Sequence, residues 1–263
     1  MASEEKDRYN SNSLVRGLEI LKMFNEEYPT LSLAEIAQRL GVSRTVPFRL
    51  LYTLQSIGYL HQDENTKRYK LTPKVLELGF AYLNTLQLPE ISQPYLEQLR
   101  DETGASSHLS ILDGNEVVYI GSAPTRGVAA INVNIGLRLP AHATANGKIL
   151  LAFQPKERLN QILYGSELKP FTERTQTLIV DLLQELESIR EQGYSITEGE
   201  HRNGIRSVAA PIFERSGEVL AAVNTVATDS LFTDEFIQKV ALPKVQDIAE
   251  KLSGFMGYSL SRS

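Results

Sequence analysis

The chain has 263 residues, no cysteine and a formal net charge of −5 at neutral pH. The lack of cysteine excludes disulfides, thiol catalysis and cysteine-based metal sites. With 42% hydrophobic and 22% charged residues, the composition is typical of a globular protein large enough for two domains. The sequence contains no apolar run of about 18 residues and no apolar leader at its start, which predicts a cytoplasmic protein without a membrane partner.

The first elements in chain order are helical. Residues 1–12 are polar, and we expect a disordered tail. Apolar side chains then recur at helical spacing and predict a first helix that packs behind the elements after it; these are Leu14, Leu18, Leu21 and Phe24.

A helix, a tight turn and a second helix follow. Ser32 and Glu35 have the spacing of a capping box, and Gly41 is placed to end the helix that they begin. Ser43 is a candidate cap for the second helix, which should stop at Gly58. The turn is only about three or four residues long, as a helix-turn-helix requires.

A hairpin and a basic charge cluster follow the two helices. Tyr59–His61 and Tyr69–Leu71 flank a polar turn, which predicts a short wing. From Arg39 to Lys74 there are seven basic and two acidic residues, a local net charge of +5 in an acidic chain. A helical hairpin that only fills a core would not need this charge, whereas a DNA-binding surface does.

The residues expected to contact DNA lie on the second helix and the wing: Ser43, Arg44, Thr45, Phe48, Arg49, Lys67 and Arg68. We assign Thr45 and Phe48 to the base edges and Arg49 to a phosphate, because the start of a recognition helix usually reads the bases.

The second half of the chain predicts a separate domain. Thr72 and Pro73 begin a linker helix over residues 73–88, and its apolar residues cover more than one face, which favours packing against a second subunit. Residues 89–263 alternate strands and helices, typical of an α/β domain with an antiparallel sheet. Its predicted strands and helices are a hairpin at 107–120, strands at 128–135, 194–197, 207–213 and 219–226, and helices at 145–153, 155–163, 176–192 and 232–256.

Residue groups typical of catalysis do not occur. The four histidines form no metal-binding spacing, and neither a nucleophile elbow nor a phosphate loop is present. We therefore predict no catalytic residues, no metal and no cofactor. A DNA-tethered enzyme remains as a remote alternative, and a DNA-binding protein without an effector is a third class.

The order of motifs resembles the IclR family of bacterial transcription regulators. The resemblance runs from Ser13 to about Gly257 and includes the winged motif. It rests further on Ser13–Leu18, Arg138–Lys148, Glu187–Tyr194 and Gly204–Pro211.

The resemblance implies a two-domain α+β fold, with a winged helix-turn-helix at 13–72, the linker helix at 73–88 and a GAF-like α/β effector domain at 89–263. It implies a homodimer, or a homotetramer on DNA, that binds a partly palindromic double-stranded operator. The function implied is ligand-responsive regulation of a catabolic operon. Segments such as 75–83 are similar to the protocatechuate-type regulators, so the expected effector is an aromatic acid first and a keto or sugar acid second.

Two positions depart from the family pattern. Pro47 stands in the second helix, and because proline is tolerated only near a helix start we expect this helix to begin a residue or two late. Ser207 stands where many members have cysteine.

The run 138–148 predicts the effector site. Thr144 is a candidate cap, and the amides of the three residues after it would be free to bind a carboxylate. His142 lies in the loop that lines the pocket in the family, and both a lining and a structural role remain open. The full set implied by the resemblance is Val128, Leu139, His142, Ala145, Asn146, Gly147, Thr197, Ser207 and Asn224.

Overall fold

The computed structural model describes residues 10–125 and 133–258. The chain divides into two compact units, with the division between Thr85 and Leu86. The architecture is the predicted two-domain α+β fold. None of the helices within these described ranges is both long and apolar enough to cross a bilayer.

The N-terminal unit is a winged helix-turn-helix. Its helices are α1 (Asn12–Lys22), α2 (Leu33–Arg39) and α3 (Thr45–Ser56). Strands β1 (Leu60–Gln62) and β2 (Tyr69–Leu71) pair antiparallel as the wing. A 3₁₀ turn (Pro73–Val75) leads into α4 (Leu76–Leu83). The buried core of this unit comprises Ile20, Phe24, Leu31, Ile36, Leu51, Leu54, Leu60 and Tyr69.

The expected core stripe of α1 is only partly correct. Phe24 is buried, but Leu14 and Leu18 are exposed. Ile20 provides the buried contact instead. One face of α1 therefore packs inward, and a second apolar face stays at the surface of the isolated chain.

The capping box at α2 forms as the spacing predicts. The backbone N–H of Ser32 donates to Glu35 Oε2 at 2.7 Å, and the Ser32 hydroxyl accepts from the Glu35 N–H at 3.3 Å. Gly41 takes a positive φ of 64° just after the helix, a conformation that glycine adopts without strain.

The recognition helix starts one residue later than a cap at Ser43 would place it, within the predicted delay of a residue or two. The helix begins at Thr45, so Pro47 is its third residue, and the Pro47 ring is buried. The first N–H groups of a helix have no intrahelical acceptor, so proline costs no hydrogen bond at this position. Ser43 does not cap the helix through its side chain; its carbonyl accepts from the Val46 N–H at 3.1 Å.

The C-terminal unit is built on a six-stranded antiparallel sheet. Its strands are β3 (Ser106–Asp113), β4 (Glu116–Ala123), β5 (Arg138–Pro140), β6 (Ser195–Glu198), β7 (Ile205–Phe213) and β8 (Val219–Thr228). Their order is β5-β4-β3-β8-β7-β6. The strand expected at 128–135 lies mostly outside the described residues, and residues 133–135 are not a strand.

Helices cover the sheet in two pairs. The first pair is α5 (Leu88–Thr103) and the C-terminal helix. The C-terminal helix has three parts: α9 (Asp234–Phe236), a π turn (Ile237–Ala241) and α10 (Leu242–Phe255). The second pair is α6 (Ala145–Ala152) with α8 (Ile179–Gln192). The shorter α7 (Lys156–Leu163) follows α6.

Strand alternation decides which side chains of β3 face α6. Leu109 lies beside Leu96 of α5, whereas Ser110 accepts a hydrogen bond from Asn146 of α6. Alternate residues of a strand point to opposite faces. His108 therefore shares the α6 face with Ser110, and this face carries the polar groups described next.

Candidate functional site

The exposed face of α3 carries the residues that the sequence assigned to DNA. Thr45, Phe48 and Arg49 are all exposed, and Ser43 and Arg44 are exposed just before the helix. Tyr52 lies one turn after Phe48 and is 70% exposed; helical spacing places it on the same face. Its exposure adds an aromatic side chain that the sequence analysis did not select.

The wing is held by a network centred on Arg68. The guanidinium donates to the Thr30 hydroxyl and carbonyl, each at 2.9 Å, and to Glu35 Oε1 at 3.2 Å. Hydrogen bonds from the Ser32 backbone and hydroxyl, followed by Arg68, lower the pKa of the Glu35 carboxyl to about 2. The structure therefore gives Arg68 a positioning role inside the unit, and its contact with DNA stays a prediction.

Lys67 occupies the tip of the wing. Its φ of 55° is the one left-handed value among the described non-glycine residues. Asp63 supports the turn by accepting from the N–H groups of Asn65 and Thr66 at 3.1 and 2.7 Å. Within the described ranges Arg44, Arg49 and Lys67 form no ion pair. These cations are therefore available to an external anion such as DNA phosphate.

A cavity of about 200 Å³ lies between α6 and the sheet in the C-terminal unit. Its apolar wall includes Leu137, Leu139, Ile205 and Val226. Four of the sequence-selected residues, Asn146, Thr197, Ser207 and Asn224, provide polar groups to the lining. A mixed lining of this kind is typical of a site for a small molecule.

Buried hydrogen bonds connect the polar side of the cavity. The Asn146 amide donates to the Ser110 hydroxyl at 2.8 Å and to Asn224 Oδ1 at 3.3 Å. Asn224 in turn donates to the Ser207 hydroxyl at 2.8 Å, which donates to the Thr225 carbonyl at 3.1 Å. The NH₂ group of Asn146 is thus engaged, and only its Oδ1 is without a partner.

His108 is fully buried in the same cavity. Its ring packs edge-to-face on Tyr119, with ring centroids 5.6 Å apart. Burial lowers the pKa of His108 to about 4. The side-chain amide of Asn224, which lies opposite His108 on β8, raises this pKa by a smaller amount. Neither ring nitrogen of His108 has a hydrogen-bond partner. His108 is therefore neutral at pH 7.

The edge of the cavity is charged. Arg202 lines the cavity and is exposed, and it has no ion pair among the residues that the structure describes. Glu200 also lines the cavity, but its carboxylate is paired. Lys148 Nζ lies 2.5 Å from Glu200 Oε2 and 2.5 Å from Glu185 Oε1. Burial raises the pKa of Glu200 against the attraction of Lys148.

Comparisons with known proteins identify the family. The chain matches the IclR helix-turn-helix domain over residues 13–64 and the domain described as "Bacterial transcriptional regulator IclR C-terminal" over residues 80–254. The chain belongs to the IclR family. It is thus a DNA-binding transcription regulator, and the predicted family and fold class are confirmed.

Three relatives illustrate the match. The Pca regulon regulatory protein of Pseudomonas putida is 34% identical over 92% of this chain and 84% of its own length. The Thermotoga maritima IclR structure is 31% identical, with a TM-score of 0.78 over 94% of this chain and 99% of that one. A double mutant of the PobR inducer-binding domain from Acinetobacter, in complex with 3-hydroxybenzoic acid, is 28% identical, with a TM-score of 0.59 over 64% of this chain and 98% of that one.

The cavity of this IclR-family chain collects most, but not all, of the predicted effector residues. Leu139 and Ala145 line it together with Asn146, Thr197, Ser207 and Asn224. Val128 lies outside the described residues. His142 lines a separate cavity of about 370 Å³, and its Nε2 lies 3.1 Å from the Lys169 carbonyl oxygen.

Gly147 belongs to the packing of α6 rather than to the lining. A Cβ at this position would lie 2.2 Å from the Ala141 carbonyl oxygen, so the two backbones are in direct contact. The Thr144 hydroxyl also accepts from the Gly147 N–H at 3.2 Å, as a cap does. Gly147 therefore does not line this cavity, and of the three amides only those of Ala145 and Asn146 are free of the cap.

The lining residues that the sequence analysis missed include His108, Tyr119 and Arg202. His108 has no metal-binding or catalytic spacing to another histidine, so its sequence context does not mark it as a site residue. Its place in a strand opposite the equally polar Asn224 was the available signal, because the pairing of two buried polar side chains on one sheet face marks a polar pocket.

Proposed function

We propose that this regulator binds a small organic acid in the cavity of its C-terminal unit and that the acid changes its affinity for operator DNA. The observation that carries the proposal is a cavity lined by both polar and apolar side chains, with an arginine that has no ion pair among the described residues at its exposed edge. A volume of about 200 Å³ is below the usual range of about 300–1,000 Å³ for ligand pockets, so the occupant is a small molecule.

Arg202 is the cation that we assign to the carboxylate. Two neighbouring arginines are already paired: Arg138 contacts Asp113 and Glu116 at 2.8 Å, and Arg206 contacts Asp234 at 2.5 Å. A guanidinium without an internal partner binds a carboxylate through charge-assisted hydrogen bonds. The similarity to the PobR inducer-binding domain, which was solved in complex with 3-hydroxybenzoic acid, supports an aromatic acid as the first candidate.

The test is operator binding with and without acid. The DNA would be a duplex that spans the promoter next to the gene of this regulator. Fluorescence anisotropy would measure the dissociation constant of the protein–DNA complex at increasing concentrations of benzoate, 4-hydroxybenzoate, hexanoate or gluconate. We expect at least one acid to shift this constant severalfold, and Arg202→Gln to abolish the shift. Arg158→Gln, which changes an exposed arginine on α7, is the matched control. If every acid left operator affinity unchanged, acid sensing would be rejected.

We further propose that the regulator is a homodimer through α4 and the DNA-binding unit. Helix α4 has no buried residue in the single chain, and its Leu76, Leu78, Phe80 and Tyr82 are each at least half exposed. An exposed apolar surface of this size usually marks an interface. A dimer also supplies the two recognition helices that a palindromic operator needs.

Sedimentation of the full chain tests the dimer. Leu78→Glu should shift the population at micromolar concentration to monomer and weaken operator binding together with it. Val180→Glu, at an equally exposed apolar residue of α8, should leave the mass unchanged. A wild-type chain that sediments as a monomer and still binds operator tightly would contradict the proposal.

A further inference from the structure

The cavity concentrates buried polar atoms that lack partners. Six such side-chain atoms occur among the described residues, and three of them are Nδ1 and Nε2 of His108 and Oδ1 of Asn146. Both residues line the cavity and are at most 1% exposed. Because the large majority of buried polar atoms are hydrogen-bonded in folded proteins, three unpartnered atoms on two residues that line one small cavity point to a ligand group that pairs with them.

The groups around His108 and Asn146 determine which of their free atoms donate and which accept a hydrogen bond. His108 is neutral, so one ring nitrogen donates an N–H and the other accepts. The amide hydrogens of Asn146 are occupied by Ser110 and Asn224, so its free Oδ1 only accepts. The wall therefore offers one donor and two acceptors to a bound molecule.

This set of groups discriminates between a carboxylate and a hydroxyl. A carboxylate only accepts, so against this wall it would leave two acceptors facing a buried negative charge, which is costly without a cation. A hydroxyl both donates and accepts. It can donate to Asn146 Oδ1 while it accepts from the His108 N–H, so a single hydroxyl pairs with two of the three unpartnered atoms and only the acceptor nitrogen of His108 stays unpaired.

We infer that the effector carries a hydroxyl group in addition to its acid group, and that His108 and Asn146 bind this hydroxyl at the buried end of the cavity. The inference rests on the proposed acid-binding function. It orients the ligand with its hydroxyl on the fully buried residues and its carboxylate toward exposed Arg202, with the apolar body against Leu139 and Val226. This orientation reverses the one expected from the sequence, in which the acid group met the start of α6.

The test uses matched ligands that differ by one group. Calorimetry on the full chain would compare 4-hydroxybenzoate, benzoate and phenol, and in parallel 6-hydroxyhexanoate, hexanoate and hexan-1-ol. In at least one series the hydroxy acid should bind about tenfold or more tightly than the acid without the hydroxyl, as expected when a buried donor and acceptor would otherwise stay unpaired.

Variants locate the effect at His108. His108→Phe keeps an aromatic ring against Tyr119 and removes both nitrogens, so the hydroxyl preference should fall to about twofold or less. His108→Gln restores a donor and an acceptor and should recover most of it. His142→Phe makes the same change at a buried histidine outside this cavity and should leave the preference intact. Thermal melts by circular dichroism establish that each variant folds.

The outcomes separate this inference from the acid-sensing proposal. If in both series the acid without a hydroxyl bound as tightly as the hydroxy acid, the hydroxyl inference would fail while acid binding stood. If, in each series that shows binding, the alcohol bound as tightly as the hydroxy acid, the hydroxyl contact would stand and the acid proposal would fail. A hydroxyl preference that survives in His108→Phe, or a protein that binds none of the six compounds, would overturn the inference.

Discussion

The two units of this regulator depart from the usual distribution of polar and apolar side chains in opposite ways. The N-terminal unit exposes large apolar residues such as Leu14 and Leu78, whereas the C-terminal unit buries His108, Asn146 and Lys148. Exposed apolar surface is explained by a macromolecular partner, and a buried polar cluster by a small ligand or an internal pair. We therefore expect the exposed apolar residues of the N-terminal unit to serve a macromolecular partner and the buried polar residues of the C-terminal unit to serve a ligand or an internal pair, and the following predictions test this comparison.

The largest effect is expected at the buried ammonium of Lys148, which is 1% exposed between two carboxylates. Lys148→Met should lower the free energy of unfolding of the C-terminal unit by about 3–5 kcal/mol, because it leaves buried carboxylates unpaired. Lys251→Met removes an exposed pair with Asp247 and should cost less than about 1 kcal/mol. Urea denaturation of both variants measures the difference, and equal losses would contradict the role assigned to burial.

A pH dependence should follow from His108. Burial lowers its pKa from 6.5 to about 4, so between these values the unfolded chain binds a proton that the folded chain excludes. The free energy of unfolding should therefore fall as the pH falls through this window, by up to about 3 kcal/mol. His108→Gln does not titrate and should lack this loss. Ile212→Val, a buried apolar change, is the control, and its cost should not vary with pH.

On the DNA-binding side, Arg49→Ala should weaken binding to all sequences alike. Arg49 is exposed and lacks an internal ion pair among the described residues. Loss of one phosphate contact should lower the slope of log K against log salt by about 0.9. Anisotropy titrations at several salt concentrations measure this slope, with Arg158→Ala as control. An unchanged slope would remove Arg49 from the phosphate contacts.

The smallest effect concerns the capping box of α2. Ser32→Ala removes the hydroxyl that accepts from the Glu35 N–H and should destabilise the N-terminal unit by about 1 kcal/mol. Ser56→Ala, at an exposed serine at the other end of the helix-turn-helix, should change stability less. Thermal melts of both variants decide this, and a silent Ser32→Ala would show that the cap is dispensable.

Features that depend on residues close together in the sequence could be predicted from it. The capping box, the turn at Gly41 and the β3–β4 hairpin depend on residues close in sequence, and all three form as predicted. The start of α3 at Thr45 also lies within the delay predicted from Pro47, but the side-chain cap predicted at Ser43 does not form. The C-terminal helix was predicted without the π turn that precedes Pro243.

The cavity depended on long-range pairing that the sequence does not display. Ser110, Asn146 and Asn224 are far apart in the chain and meet only when β3, α6 and β8 pack. Family resemblance located Asn146, Ser207 and Asn224 at the cavity, but it did not exclude Gly147 and His142, which pack elsewhere. The side chain of His108 reaches the cavity because it lies on the face of β3 that packs against α6. This orientation depends on how the sheet packs, and the residue type does not reveal it.

The bonds from Arg68 to Thr30 and Glu35 have a consequence for the thermodynamics of association. They attach the wing to the helix-turn-helix before any DNA is present, so the wing does not have to be ordered when it binds. Binding then avoids the loss of conformational entropy that a mobile wing would cost. The heat-capacity change on binding should accordingly reflect the surface buried against DNA alone, without a contribution from coupled folding.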